Sequence, residues 1–226
     1  MIKKGSRQQD LTYLSSYICK VMKKMFGKGP ESCTIASENN LVIAKVQQFI
    51  TPAEEVLLNR NELSLALKFR TTLLKAFFEE TQEELSTMTD LVLDSFYHDW
   101  DYETNHGLLI FAAGQSFSVD DNNEGDVFTS ALRDQVKLIS SKVHSEPNFV
   151  NLRIVHPTIY IVECVGGLVE QEQKNEIFLV EKSQEIRKNY KRFSKELEST
   201  FNCLIQNLFI TWSYAKDKYY LVIYLK

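Results

Sequence analysis

The chain has 226 residues, of which 44% are hydrophobic and 25% charged, with a formal net charge of −4. With 14 Phe and 10 Tyr but only 8 Gly and 4 Pro, it is built to bury a core, which excludes a collagen-like, loop-rich or disordered polypeptide. The acidic balance speaks against nucleic-acid binding, which needs a basic face to neutralise phosphates.

The length suits one large domain or two small ones. The first pattern along the chain is helical: Leu11, Leu14, Ile18, Val21, Met22 and Met25 recur at three- and four-residue steps. Lys20, Lys23, Lys24 and Lys28 near its end read as a solvated face that complements the helix dipole. Gly27-Lys28-Gly29-Pro30 stops the helix, and strands are expected at residues 32–37 and 41–49 around the turn Glu38-Asn39-Asn40. Thr51-Pro52-Ala53-Glu54 then opens a helix, with Thr51 as cap, Pro52 at the first position and Glu54 where a capping box needs a carboxylate. That helix runs to about residue 86, broken near Asn59 to Asn61, and strands follow at about residues 90–97 and 107–113.

The second half repeats this order. A helix over residues 127–143 leads to Pro147, and strands at 149–155 and 158–165 flank His156-Pro157. After Gly166-Gly167 a long helix shows one apolar face: Ile186, Tyr190, Phe193, Leu197, Phe201 and Leu204. A last hairpin spans 207–214 and 219–225. The halves align at an offset of 117 to 118 residues, which sets Pro30 on Pro147, Arg70 on Arg187 and Ser95-Phe96-Tyr97 on Trp212-Ser213-Tyr214. The expected fold is α+β: two tandem repeats, residues 1–113 and 127–226, joined by an acidic linker at 114–126. Each repeat is helix, β-hairpin, long helix, β-hairpin, with a four-stranded antiparallel sheet covered by helices.

The cysteines, Cys19, Cys33, Cys164 and Cys203, form no C-x-x-C pair, which excludes zinc-ribbon and thioredoxin-like readings and suits free thiols in a reducing compartment. Polar residues follow Met1-Ile2-Lys3-Lys4, so no signal peptide is expected. No apolar run approaches the ~20 residues that span a bilayer. The chain therefore reads as cytoplasmic.

Candidate chemistry is sparse. His98 lies near Asp94, Asp99 and Asp101, but the spacing matches no standard ligand pattern, and the segment reads as a solvated loop. Asp120, Asn122, Glu124 and Gly125 imitate a calcium loop whose twelfth position is Ala131, which supplies no carboxylate. Glu79, Glu80, Glu83 and Glu84 form an acidic helix face, and His106, His144 and His156 are scattered. No serine stands in a nucleophile elbow. No catalytic residue, metal site or cofactor is expected. Tyr97, His98, Trp100, Tyr102, Trp212 and Tyr214 cluster at equivalent strand ends, and aromatics with polar tips suit a protein–protein surface as well as a core.

The first half resembles the MpsC family, named for a membrane-potential-generating system whose other components are membrane proteins. The resemblance rests on Gly27, Gly29 and Pro30 after the first helix, on Thr51, Pro52 and Glu54 with Val56-Leu57-Leu58 behind them, and on the long helix carrying Arg70. The second half looks like a diverged copy, with Leu168-Val169-Glu170-Gln171-Glu172 in place of the threonine–proline–glutamate signature. The family's Thr-Gly-Arg before the third strand is replaced by Thr87-Met88-Thr89. The resemblance implies a non-enzymatic accessory or regulatory protein of sodium-linked or inorganic-carbon (bicarbonate) uptake. It would act on membrane transporter subunits from the cytoplasm, at the inner face of the membrane; a homo-oligomer is compatible with it. A small-anion or metabolite sensor, with its ligand held between the repeats, is the alternative.

Overall fold

The computed structural model describes residues 4–114, 127–167, 176–213 and 217–226. The acidic linker beyond Gly114, the calcium-loop-like residues, the segment 168–172 and Tyr214 lie outside these described residues. The chain divides into two compact units, Met1–Phe117 and Ser118–Lys226.

In the first unit, α1 (Lys4–Phe26) is followed by β1 (Ser32–Glu38) and β2 (Leu41–Gln47), then α2 (Pro52–Asn59), α3 (Leu63–Thr89), β3 (Leu93–Asp101) and β4 (His106–Ala113). The four strands form one antiparallel sheet in the order β1-β2-β4-β3, so the second strand of each hairpin lies inside. The apolar stripe of α1, Leu14, Ile18, Val21, Met22 and Phe26, packs with Leu74, Phe77 and Leu85 of α3 onto Val42, Ala44, Val46, Leu109 and Phe111 of the sheet. The stripe ends because Gly27 adopts φ +75°, a left-handed turn that glycine enters without Cβ strain. The break expected near residue 60 is present. Asn61 takes φ 60°, and Glu62 N–H returns to the Leu57 carbonyl at 2.9 Å, which reverses the chain between α2 and α3.

One expectation is corrected here. The third strand does not stop at residue 97; β3 continues through Asp101, so His98, Asp99 and Asp101 belong to a strand and not to a loop. Tertiary pairing overrides the poor strand preference of these residues: Asp99 lies opposite Leu108 and Asp101 opposite His106 in the ladder with β4. In the same ladder Trp100 lies opposite Gly107. A Cβ built on Gly107 would fall 1.7 Å from Trp100 Cζ3, so the indole rests directly on the bare glycine backbone.

The second unit comprises α4 (Val127–Val143), β5 (Phe149–His156), β6 (Ile159–Val165), α5 (Glu176–Arg192), α6 (Ser194–Phe201), β7 (Ile205–Ser213) and β8 (Lys218–Leu225). Its antiparallel sheet has the order β5-β6-β8-β7. Leu132, Val136 and Ile139 of α4, Ile186 and Tyr190 of α5 and Leu197 of α6 pack against Val162, Cys164, Leu208, Ile210, Leu221 and Ile223. The single long helix expected here is two helices. Phe193 leaves helical geometry (φ −101°, ψ 16°) between α5 and α6. Asn202 then closes α6 in the left-handed region, its N–H donating to the Glu198 carbonyl, so Leu204 falls beyond the helix and is 54% exposed.

Gly107→Ala is expected to lower stability by about 2–3 kcal/mol, because the new methyl must displace a packed indole. Urea unfolding monitored by tryptophan fluorescence measures this. Adding Trp100→Leu should recover part of the loss, since the clash is specific to the ring.

Candidate functional site

Of the residues singled out by sequence in the first unit, Thr51, Glu54, Trp100 and Tyr102 converge on one buried arginine, Arg70. Thr51 caps α2: its Oγ accepts from Glu54 N–H at 3.3 Å, and the Glu54 carboxylate in turn accepts from Thr51 N–H at 2.9 Å and from the Thr51 hydroxyl at 2.7 Å. This is the capping box the sequence spells, with Pro52 at the start of the helix. The same carboxylate receives Arg70 from α3 in a two-pronged pair, Nε to Oε1 and Nη2 to Oε2, each at 2.5 Å. Nη2 also donates to the Phe49 carbonyl at 2.8 Å. The Tyr102 hydroxyl closes the ring, accepting from Arg70 Nε at 3.2 Å and donating to Glu54 Oε1 at 3.0 Å. Glu54 is 0% exposed and Arg70 1%.

Aromatic rings wall the guanidinium. Its Cζ stands 3.7 Å from the centroid of a Trp100 ring, 5.1 Å from Phe49, 5.5 Å from Tyr102 and 5.8 Å from Phe26. Ring faces carry partial negative charge, and removal of water strengthens that attraction. Arg70 Nη1 has no hydrogen-bond partner among the described residues, so stacking is what compensates that edge. Burial pushes the Tyr102 phenol up, the Arg70 charge opposing it, so the hydroxyl keeps its proton and its place as donor.

The glycine–proline signature adjoins this clamp. Lys28 Nζ donates to the Ile50 carbonyl at 2.9 Å, immediately before Thr51. A Cβ on Gly29 would sit 3.3 Å from Lys23 Cβ and 3.6 Å from the Cys19 carbonyl oxygen, so the loop with Pro30 folds tightly back on α1. Thr87-Met88-Thr89 ends α3, and Asp90 closes the helix at φ 56° with its N–H on the Ser86 carbonyl.

The aromatic group reads differently in three dimensions. Trp100 is 2% exposed and Tyr102 is partly buried, both committed to the arginine. Tyr97 and His98 are partly buried on β3, and the His98 ring lies 5.8 Å from Phe96. Strand alternation sends Asp99 and Asp101, each 3% exposed, to the face opposite His98. Asp94 accepts from Gly114 N–H at 3.2 Å, beside an irregularity in the β3–β4 register. The His98–carboxylate cluster therefore does not assemble. No three His, Cys, Asp or Glu among the described residues are placed to hold a metal ion.

In the second unit Arg187 is 2% exposed and donates from Nη2 to Gln184 Oε1. The same unit holds a set of buried hydroxyls that no sequence spacing announces. Ser140 Oγ donates to the Val136 carbonyl at 2.7 Å and meets Tyr190 OH at 2.5 Å and Tyr219 OH at 2.7 Å. With its one proton on Val136, Ser140 accepts from both tyrosines. Ser140 is 0% exposed. Burial pushes the neighbouring Cys164 thiol up to about 12. His144 packs edge-on to Tyr219 at 5.0 Å and to Trp212 at 5.5 Å, and its Nε2 has no hydrogen-bond partner among the described residues. Burial, with a smaller contribution from the Lys182 charge, holds His144 down at about 4.

The first unit is thus a helix-covered antiparallel sheet centred on a buried arginine–carboxylate clamp, and no helix among the described residues is long and apolar enough to cross a membrane. Residues 6–115 match the model of the family described as Na+-translocating membrane potential-generating system (MpsC). The match spans the first unit, and the family's description names a Na+-linked membrane-potential system. No curated protein and no solved structure matches the chain.

Glu54→Gln or Arg70→Met should each cost about 3–5 kcal/mol, because either leaves its partner buried without its counter-charge. The double variant should lose clearly less than the sum, and a double-mutant cycle in urea measures the coupling. A second expectation concerns pH. His144 binds its proton more weakly when folded (about 4) than unfolded (6.5), so the unfolded state takes up the proton first as pH falls. Stability should be full above about pH 6.5, decline as pH drops toward 4 by on the order of 2–3 kcal/mol, and then level off for this group. His144→Phe should flatten that part of the profile.

Proposed function

We propose that the chain is a non-enzymatic accessory or regulatory protein of a membrane transport system, the sodium-linked generation of membrane potential and the inorganic-carbon uptake it supports. It acts through protein–protein contacts with the membrane-embedded subunits, bound peripherally at the inner face of the membrane. The observation that carries this reading is the family match over residues 6–115. The clamp supports the non-enzymatic part. Every signature side chain with chemical potential, Thr51, Glu54 and Arg70, is buried and committed to internal bonds.

The common plan of the two units supports their reading as tandem copies of one ancestral unit. Both have the order helix, hairpin, helices, hairpin, the same nesting of strands, and a buried arginine on a helix between the two hairpins.

Deletion of the gene in its host tests the proposal, with sodium-dependent membrane potential read by a voltage-sensitive dye and bicarbonate uptake measured in parallel. Both should fall and return with the intact gene. In-cell crosslinking of a tagged chain should recover membrane subunits of a sodium-translocating system. An unchanged potential together with a chain recovered alone would overturn the reading.

A further inference from the structure

Two of the four cysteines meet. Ser15 on α1 donates its hydroxyl to the Cys33 carbonyl on β1 at 2.6 Å, which seats the helix against the edge strand. Cys19 lies one helical turn beyond Ser15 on the same face. Cys33 packs against the first core from β1, and the two thiols are each other's largest electrostatic influence. Both residues are only partly buried, so a small reagent can reach the pair. The other two stand apart: Cys164 is sealed in the second core, and Cys203 follows the end of α6 with Sγ 3.5 Å from the Lys226 carbonyl oxygen.

The two thiols are not equivalent. Cys19 is drawn down to about 7, chiefly by its hydrogen bond with Cys33 and against the effect of burial. Cys33 is pushed up by the same hydrogen bond and by burial. Cys33 packs against the first core while Cys19 does not, so Cys19 is the thiol open to an incoming reagent and Cys33 the one placed to resolve.

We propose that Cys19 and Cys33 form a reversible dithiol–disulfide site joining α1 to β1, with a small disulfide of the glutathione class as oxidant. The Cys19 thiolate attacks one sulfur of the small disulfide, forms a mixed disulfide and expels one small thiolate. Cys33 then gives its proton to solvent, attacks the Cys19 sulfur and expels the second small thiolate. Two electrons pass from the cysteine pair to the small disulfide, which leaves as two thiols. The protein gains one S–S bond, closing the loop that contains Gly27-Lys28-Gly29-Pro30. This site stands independently of the transport reading.

The test uses the reduced full chain, equilibrated near neutral pH in glutathione buffers of graded ratio, acid-quenched, alkylated and digested with trypsin. Cleavage after Arg7, Lys20, Lys28 and Lys45 places Cys19 in peptide 8–20 and Cys33 in peptide 29–45. The expected product is these two peptides joined, two hydrogens lighter than their sum, rising as the oxidised fraction rises. In the reduced protein iodoacetamide should label Cys19 at least about tenfold faster than Cys164. Cys33→Ser should leave glutathione attached to peptide 8–20. The proposal is overturned if no ratio yields the joined peptides, or if the unsubstituted protein accumulates glutathione on Cys19 without passing it on. The unsubstituted protein alone decides, so a folding defect in the variant does not blur the result.

Discussion

The pair between Glu54 and Arg70 is the interaction around which the first unit is arranged. One carboxylate performs two tasks, completing the cap of α2 and holding the guanidinium of α3. The walls come from everywhere else: Phe26 from the end of α1, Phe49 from the exit of β2, Trp100 from β3 and Tyr102 from the turn after it. A buried ion pair adds little net stability over a well-packed apolar substitute. We read its role as register: only one turn of α3 can present an arginine to the first turn of α2 while its face lies on Trp100. Gly107 belongs to the same constraint, because the indole reaches the guanidinium only by lying across a residue without a side chain.

Much of this was legible locally. Thr51-Pro52-Ala53-Glu54 names its own cap, because a capping box involves residues three apart and needs no tertiary context. The strand runs around Asn39-Asn40 name their hairpin for the same reason. What was not legible depends on distant partners. Nothing in the spacing of residues 54, 70 and 102 says that they meet, although all three had been singled out, two as family signatures and one as a candidate surface aromatic. His98 to Asp101 read as a loop because polar residues are poor strand formers. They pair because β3 is the outer strand of the sheet and its one ladder, with β4, is long. The break at Phe193 was hidden by an apolar period that runs on through it, since periodicity reports which face is buried and not whether the backbone stays regular.

The second unit meets the same packing problem with different chemistry. Where the first core centres on a charged pair, the second holds Ser140 between two tyrosine hydroxyls, with Cys164 and the neutral His144 against them, and carries its own buried ion pair, Lys218 on Glu163, on its strands. Each hydroxyl proton has an acceptor, so the network can be buried without a charge. It joins α4, α5 and β8, as the clamp joins α2, α3 and the turn between β3 and β4.

The clamp also explains why α1 is the element on which chemistry at its surface could act. Polar bonds fix α2, α3 and the second hairpin to one another, but the arginine reaches α1 only through the ring of Phe26. The rest of α1 is held by its apolar stripe, by Ser15 on the Cys33 carbonyl and by Lys24 on Glu80. The last pair is 72% and 45% exposed, so solvent screens it and it contributes little. Among the described residues α1 thus rests mainly on an apolar face, with Ser15 as a polar anchor, and Cys19 lies one turn from that anchor. A covalent bond there would tie α1 to β1 and leave the clamp untouched.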